Sequence, residues 1–450
     1  MDTRRSWKSV YFVLVITLIL IEESLSRIIF FDESKRDIDL VVIDKEVIDR
    51  CNGMDSVNLA GSGLTKIANS FVQSDAIKSI SLENNFLNLI PRNAFQGTPN
   101  LVCLNLARNR LPLDDLLSFN HIHLKTLIFD HQFILGKNRP AEAEEIEKYT
   151  DAVPIVVTPT TDWLIEQFPN LEYLDLSGNQ FLDLPHNFAA IFPRLTHLYL
   201  TDRYIGDIWP EAFAKLPASL THLHLEKNII SELQFEYLGN IQALFLDENP
   251  LLSNASHQMH SEFLKKLSLA NCTLKYVKPD LFHDVPNLIT LDLSHNQIGH
   301  LSGEPFAYLY YLEELSLSDN RLTEVPYSIG FNKLSKLSLS YNYIKEIPYS
   351  LPWSSLKILS LRGNGINRID SSAFGKLYNL EELDLAENYL KALPAGWMKP
   401  LNVIRFLNLK FNDFTGIPDM SIDVNSNLED LYIRSKTITI SCRIWERCYH

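Results

Sequence analysis

No apolar run in this chain is long enough to span a bilayer, which needs about 20 consecutive apolar residues. The longest, Tyr11 to Ile21, stops well short of that. Catalytic signatures are equally absent: there is no GxSxG, HExxH, P-loop, GxGxxG or CxxC, so hydrolase, metalloprotease, nucleotide-binding and thiol-redox chemistry have no motif to rest on. Positive charge is in deficit. Lys and Arg number 41 against 55 Asp and Glu, a net charge of −14, and phosphate-backbone binding needs clustered Lys and Arg. Nucleic acid is therefore an unsuitable partner. With 16 glycines and 21 prolines among 450 residues, the chain is neither collagen-like nor of disordered composition.

What the sequence does contain is apolar residues, 46% of the total, and they recur. Arg4, Arg5 and Lys8 precede the Tyr11–Ile21 run, and Ser24 and Ser26 follow it, the layout of a secretory signal peptide over residues 1–26. The chain ends in SCRIWERCYH, without the apolar tail of a lipid-anchor signal. The expectation is a secreted, extracellular product with no membrane span.

From Leu288 to Tyr311 the sequence reads LITLDLSHNQIGHLSGEPFAYLYY. Leu288, Leu291, Leu293, Asn296 and Ile298 set out the pattern LxxLxLxxNxL, followed by an aromatic at Phe306. Copies start at Met54, Ile77, Leu101, Leu124, Leu171, Leu195, Leu220, Ile241, Leu264, Leu312, Leu334, Leu356, Leu380, Ile404 and Leu428. Neighbouring starts lie 21 to 25 residues apart, except for the 47 between Leu124 and Leu171. A period of this kind lets each unit pack on its neighbours, so the core grows in one dimension instead of splitting into globular domains.

One unit accounts for the pattern. In LxL both leucines point to one side of a short strand and the residues between them to the other. Strands of successive units pair in parallel, giving an arc of roughly 75 Å. The Asn that follows turns the chain away, and its amide can satisfy buried backbone groups of adjacent turns. That ladder is Asn85, Asn109, Gln132, Asn179, Asn228, Asn249, Cys272, Asn296, Asn320, Asn342, Asn364, Asn388 and Asn412, with Arg203 in one register position where a guanidinium has no evident reason to be. Apolar-Pro pairs at Ile90-Pro91, Val325-Pro326, Ile347-Pro348 and Ile417-Pro418, then Phe95, Phe213, Phe282, Phe306 and Phe374, fill the return side. Bulkier returns should curve the stack with its sheet inside.

The repeat resembles that of the leucine-rich-repeat family, and its period and Pro and Phe positions are similar to the extracellular class seen in Toll-type receptor ectodomains and secreted invertebrate immune or adhesion proteins. The resemblance implies an α/β leucine-rich-repeat solenoid: a curved horseshoe with a parallel β-sheet on the concave face and short irregular or helical returns on the convex face. The expected organisation is an N-terminal cap over residues 27–53, a solenoid over 54–440 with a degenerate or inserted unit at about 137–160, and a short C-terminal cap over 441–450. For activity it implies a non-catalytic binding protein without cofactors, recognising a protein partner or microbial surface molecule, with a role in innate immunity. Extracellular adhesion or matrix organisation and secreted enzyme inhibition are the alternatives.

Five cysteines enter an oxidising compartment on this reading. Cys272 substitutes for a ladder amide. Cys442 and Cys448 can close a small terminal loop. Cys51 and Cys103 are expected to lie about 10 Å apart, out of disulfide reach unless the cap folds back. They stand as free thiols or as an interchain disulfide to a second copy or a different chain. Asn254-Ala255-Ser256 and Asn271-Cys272-Thr273 are N-glycosylation acceptors.

Leucines serve the core and asparagines the ladder, so recognition falls to the remaining strand positions. Between Leu171 and Leu251 these are Tyr173, His197, Tyr199, Asp202, His222, His224, Phe245 and Asp247, an aromatic and His-rich patch of the composition found at binding hot spots. His197, His222 and His224, with Glu226 and Asp202, also have the residue types of a zinc site. Side chains two apart on a strand are about 6.8 Å apart, however, which is wide for one ion. A second strip, Glu381, Glu382, Asp384 and Glu387, has the charge to meet a basic partner or simply to face water.

Overall fold

The computed structural model describes residue 51 and residues 54–443, except 113–117, 133–166, 180–183, 185–186, 203–214, 231–238, 251–259, 302, 328–332, 349, 423–426 and 435–438. The signal segment, most of the N-terminal cap, Phe213, Arg203, the Asn254 sequon, Cys448 and the 137–160 stretch lie outside the described residues.

Each LxL becomes a three-residue strand. In chain order these are β1 (Ser56–Asn58), β2 (Ser79–Ser81), β3 (Cys103–Asn105), β4 (Thr126–Ile128), β5 (Tyr173–Asp175), β6 (His197–Tyr199), β7 (His222–His224), β8 (Ala243–Phe245) and β9 (Lys266–Ser268). The series continues through β10 (Thr290–Asp292), β11 (Glu314–Ser316), β12 (Lys336–Ser338), β14 (Ile358–Ser360), β16 (Glu382–Asp384), β17 (Phe406–Asn408) and β18 (Asp430–Arg434). β13 (Glu346–Ile347) and β15 (Arg368–Ile369) pair with each other on the return side. Among the described residues the main sheet has 17 strands. Its pairings are parallel up to β17–β18, and it closes with β19 (Thr439–Arg443) antiparallel to β18. Among the described residues helix is almost absent, the four-residue α1 (Phe188–Ile191) being one of the few helical pieces.

Register follows the repeat without a slip. Leu267, Leu291, Leu315 and Leu337 face one another across successive strands and are buried, so the inward residue of every turn joins one continuous core. A slip of one residue would turn that whole row outward. On the return side, aromatic rings form a spine from turn to turn. Phe71–Phe95, Phe95–Phe119, Phe119–Phe168 and Phe168–Phe192 have centroid separations of 5.9, 5.3, 5.3 and 5.8 Å, and Phe282–Phe306 and Phe374–Trp397 extend it at 5.9 and 5.7 Å. The long interval after Leu124 interrupts neither sheet nor spine. Leu127 faces Leu174 directly, and the Phe119–Phe168 contact spans the interval. β4 and β5 are thus direct neighbours in the sheet although 47 residues separate the two repeat starts.

The asparagine ladder is the polar counterpart of the leucine row. Asn320 is typical. Its Nδ2 donates to the carbonyls of Leu293 in the preceding turn and of Leu317 and Ser318 in its own, at 2.8, 3.2 and 3.2 Å. Its Oδ1 accepts from the Ile298 amide at 3.0 Å. Cys272 copies half of this. Its thiol donates to the carbonyls of Leu246 and Ala270 at 3.2 and 3.4 Å, and burial raises its pKa to about 12. It is a free, buried thiol.

Cys51 and Cys103 correct the sequence-based expectation. They are joined in an intrachain disulfide with their Cα atoms 5.8 Å apart, so neither is a free thiol nor available to a second chain. Cys103 opens β3, two strands in from β1. Cys51 therefore lies at the level of the third strand and not ahead of the first, which places it within reach. Cys442 lies in β19 with Leu431 as its register partner.

Candidate functional site

Side chains that project from the sheet away from the leucines form rows, because identical register positions stack at about 4.8 Å from strand to strand. At that spacing flat side chains can stack face to face, and between β5 and β8 they do. One column runs Tyr173, His197, His222, with centroid separations of 4.0 and 4.0 Å and interplanar angles of 21° and 13°. The next column runs Tyr199, His224, Phe245, at 4.0 and 4.2 Å and 16° and 15°. The registers Tyr173↔His197↔His222 and Tyr199↔His224↔Phe245 place the columns side by side on one face.

The rings are fixed at their edges. The Tyr173 hydroxyl lies 3.2 Å from His197 Nε2. His197 and His222 each place Nδ1 against the hydroxyl of the preceding threonine, Thr196 at 2.8 Å and Thr221 at 2.9 Å. His224, nearly fully buried, places Nδ1 2.8 Å from Glu226 Oε1. Parallel rings direct their in-plane nitrogens side by side instead of toward a common point, which does not suit tetrahedral coordination. Among the described residues no group of three or more His, Cys, Asp or Glu side chains could hold a metal ion.

Carboxylates border the second column. Asp175 precedes Tyr199 in that row; burial, with Asp130 close by, raises its pKa to about 6. Asp247 is raised to about 6 chiefly by burial, against hydrogen bonds from Ser268 and the Ala270 amide that favour the charged form. Asp130 Oδ1 and Glu226 Oε2 are buried without a hydrogen-bond partner. Asp202 stands apart at the rim, exposed, in a left-handed backbone conformation (φ 53°), with His131 Nε2 3.9 Å from its carboxylate across Gly178. The structure thus brings Tyr173, His197, Tyr199, His222, His224, Phe245 and Asp247 together and leaves Asp202 at the edge.

The second acidic strip is not a free acidic face. Glu381 pairs with Lys357 at 3.4 Å and Glu387 with Arg362 at 2.7 Å. Asp384 is buried and accepts from Asn408. In the Asn271 sequon both Asn271 and Thr273 are exposed while Cys272 between them is buried.

Two regularities escaped the sequence reading. The residue before each ladder position is left-handed, as at Asn84, Arg108, His131, Lys227, His295, Asp319 and Glu387, and its amide donates to the next turn, as from His295 to the Ser318 carbonyl at 2.9 Å. A second asparagine row precedes the strands: Asn100, Asn170, Asn240, Asn287, Asn379 and Asn427 each donate to a carbonyl of the preceding turn. The recurring Asn-Leu or Asn-Ile at these places was its visible signal. Beside the aromatic columns, Asp175 was also passed over, although its register with Tyr199 was readable from the period.

A parallel-sheet solenoid with this ladder defines a leucine-rich-repeat protein. The chain belongs to that family: the Leucine rich repeat pattern matches residues 52–111, 193–251, 263–322 and 354–414, with a further single-repeat match at 170–191. It is similar to podocan of Mus musculus, 29% identical over 413 residues, covering 88% of this chain and 54% of podocan. It is also similar to mimecan of Homo sapiens, 32% identical over 184 residues, 39% of this chain and 47% of mimecan, and to Toll-like receptor 3 of Bos taurus, 27% identical over 280 residues, 52% of this chain and 31% of the receptor. The chain thus spans about half of podocan's length and less of the other two. A leucine-rich-repeat protein of Leptospira interrogans shares the fold, with a TM-score of 0.56 at 22% identity over 84% of this chain and 97% of that one.

Proposed function

We propose that the protein is an extracellular, non-catalytic binding protein that recognises a protein partner through the sheet face between Tyr173 and Phe245. The two stacked aromatic columns carry this reading. The leucines of the same strands fill the core and the rings lie on the opposite face, where Tyr173, His224 and Phe245 are buried against their neighbours and His197, Tyr199 and His222 are half-buried; aromatic side chains on a rigid scaffold are the usual anchors of protein interfaces. The Cys51–Cys103 disulfide accords with an oxidising, secretory route, and the described residues contain no helix long and apolar enough to cross a membrane. The similarity to podocan and mimecan favours a matrix or adhesion setting. The similarity to Toll-like receptor 3 supports the immune one.

Affinity capture from body fluid, with wild type and with a variant carrying Tyr199→Ala, His222→Ala, His224→Ala and Phe245→Ala, tests the reading. Loss of one partner with the variant is expected. Equal recovery of every partner contradicts it.

A further inference from the structure

The acceptor sequence Asn271-Cys272-Thr273 lies in the turn that follows β9, one strand beyond the partner face. Asn271 occupies the left-handed position before the ladder, φ 54°, with its side chain exposed. Side chains in that row engage one another from turn to turn. Lys227 pairs with Glu248, Nζ to Oε1 at 3.9 Å, and His295 with Asp319, Nδ1 to Oδ2 at 2.7 Å. Asn271 stands between these two pairs, and its side-chain amide makes no hydrogen bond to any described residue. The ladder asparagines are the reverse case, buried and hydrogen-bonded across two turns. Asn271 is thus an asparagine without a structural task.

Thr273 points the same way. Its φ is 60°, whereas Gln297, Arg321 and Tyr343, the corresponding residues of three later turns, are not left-handed. Such a backbone is unfavourable for a β-branched residue, and glycine or asparagine would fit it better. Neither supplies a hydroxyl, and an N-glycosylation acceptor requires Ser or Thr at that place. The Thr273 side chain is exposed and makes no hydrogen bond to any described residue, so packing does not account for it. Cys272 does not tie the sequence down through a disulfide. It is a free thiol directed into the stack, donating to the carbonyls of Leu246 and Ala270.

We infer that Asn271 carries an N-linked oligosaccharide. In the transfer, the bond from the first sugar's C1 to the diphosphate of a lipid-linked oligosaccharide breaks and C1 bonds to Asn271 Nδ2. The lipid diphosphate leaves with the electron pair of the broken bond, and the amide gives up one proton. Transfer precedes folding, so the fold has only to accommodate the product. An exposed, unengaged amide between two closed pairs does so. A bulky, hydrated glycan at that rim also bounds the partner face on the β9 side. This inference rests on the extracellular reading proposed above.

The test is peptide mapping of the full chain secreted from cultured mammalian cells, treated with peptide-N-glycosidase in heavy-oxygen water before trypsin. Release of a glycan converts its asparagine to aspartate bearing heavy oxygen. Asn271 is the one asparagine in the tryptic peptide Leu267–Lys275, and it should be read as labelled aspartate. On gels, Asn271→Gln and Thr273→Ala should each lose the mass of one glycan and Thr273→Ser should keep it. Asn254→Gln, which removes the other acceptor, should leave the labelling of position 271 unchanged. The wild-type peptide is read directly, so a variant that fails to fold does not blunt the test. Secreted protein with this peptide wholly unlabelled, or Asn271→Gln and Thr273→Ala secreted at wild-type mass, would overturn the inference and leave the extracellular reading standing. Wild type retained in the cytosol with residues 1–26 still attached would overturn both.

Discussion

At the scale of the residue, the molecule depends on polar groups with no access to water. Asn320 satisfies three carbonyls and one amide across two turns, and Asn320→Ala would leave them in an apolar stack with nothing to replace it. Since each unsatisfied buried group costs about 1–3 kcal/mol, the substitution should lower stability by about 3 kcal/mol or more, read from urea unfolding; a loss within about 0.5 kcal/mol, as for an ordinary surface change, would contradict the ladder's role. Asp175 is the opposite case. Its folded pKa of about 6 lies above the ordinary value of 3.8, so the folded state takes up a proton before the unfolded state does. The cost of burying the charge is in full force above about pH 6 and is relieved as the pH falls toward 4. Asp175→Asn, which keeps the acceptor for the Ser177 amide, should therefore raise the melting temperature at pH 7.5 and have little effect near pH 4. A variant that gains nothing at pH 7.5 would contradict this.

At the scale of the element, one turn is a strand of three residues, a left-handed kink, a ladder amide and a return. The period made the strand and the amide legible, because leucine two apart and asparagine three later recur where the core and the buried carbonyls need them. The kink was not legible: the left-handed position accepts asparagine, arginine, histidine, aspartate and glutamate alike, so no residue type marks it. Glycine occupies it where a neighbour's ring needs the space. Gly363 has φ 65°, and a Cβ there would lie 2.3 Å from Cδ1 of Tyr341, whose ring lies over it. Gly363→Ala should be destabilising, and less so when Tyr341→Ala is made with it. The remaining cost of left-handed alanine is about 1 kcal/mol. Additive effects in this double-mutant cycle would show that the ring does not set the cost. Among the columns, ring stacking was implicit in the register: a parallel sheet with unit repeats must lay position on position, and flat residues in consecutive units then meet face to face.

At the scale of the whole molecule, a one-dimensional stack is only as secure as its ends. The Cys51–Cys103 bridge spans 52 residues and ties the start of the chain to the third strand. By the loop-closure argument it stabilises the folded state by about 4 kcal/mol. Replacing both cysteines with serine should lower the melting temperature of the N-terminal turns first, seen as early hydrogen exchange at the amides of β1 to β3, whereas an unchanged exchange pattern would show the bridge to be dispensable. This bridge was hidden from the sequence because the placement of Cys51 beside Cys103 is set by tertiary packing that no local pattern records. The long interval after β4 was ambiguous for a related reason: its length matched two units, and only the direct facing of Leu127 and Leu174 shows β4 and β5 to be neighbours. The fold was thus readable nearly throughout the described solenoid, and the candidate site largely so. Its carboxylates were the weaker part, because acidic residues on a solvated repeat are commonplace until their burial is known.

The central claim is that a protein partner docks on the sheet face of β5 to β8. A photoreactive benzoylphenylalanine placed at Tyr199, or at Tyr343 on the far side of the array where the side chain is 61% exposed, tests it most directly in body fluid. The account predicts a single crosslinked partner from position 199 and none from position 343. Crosslinking from 343 alone, or from neither position while the wild-type protein still captures a partner, would contradict it.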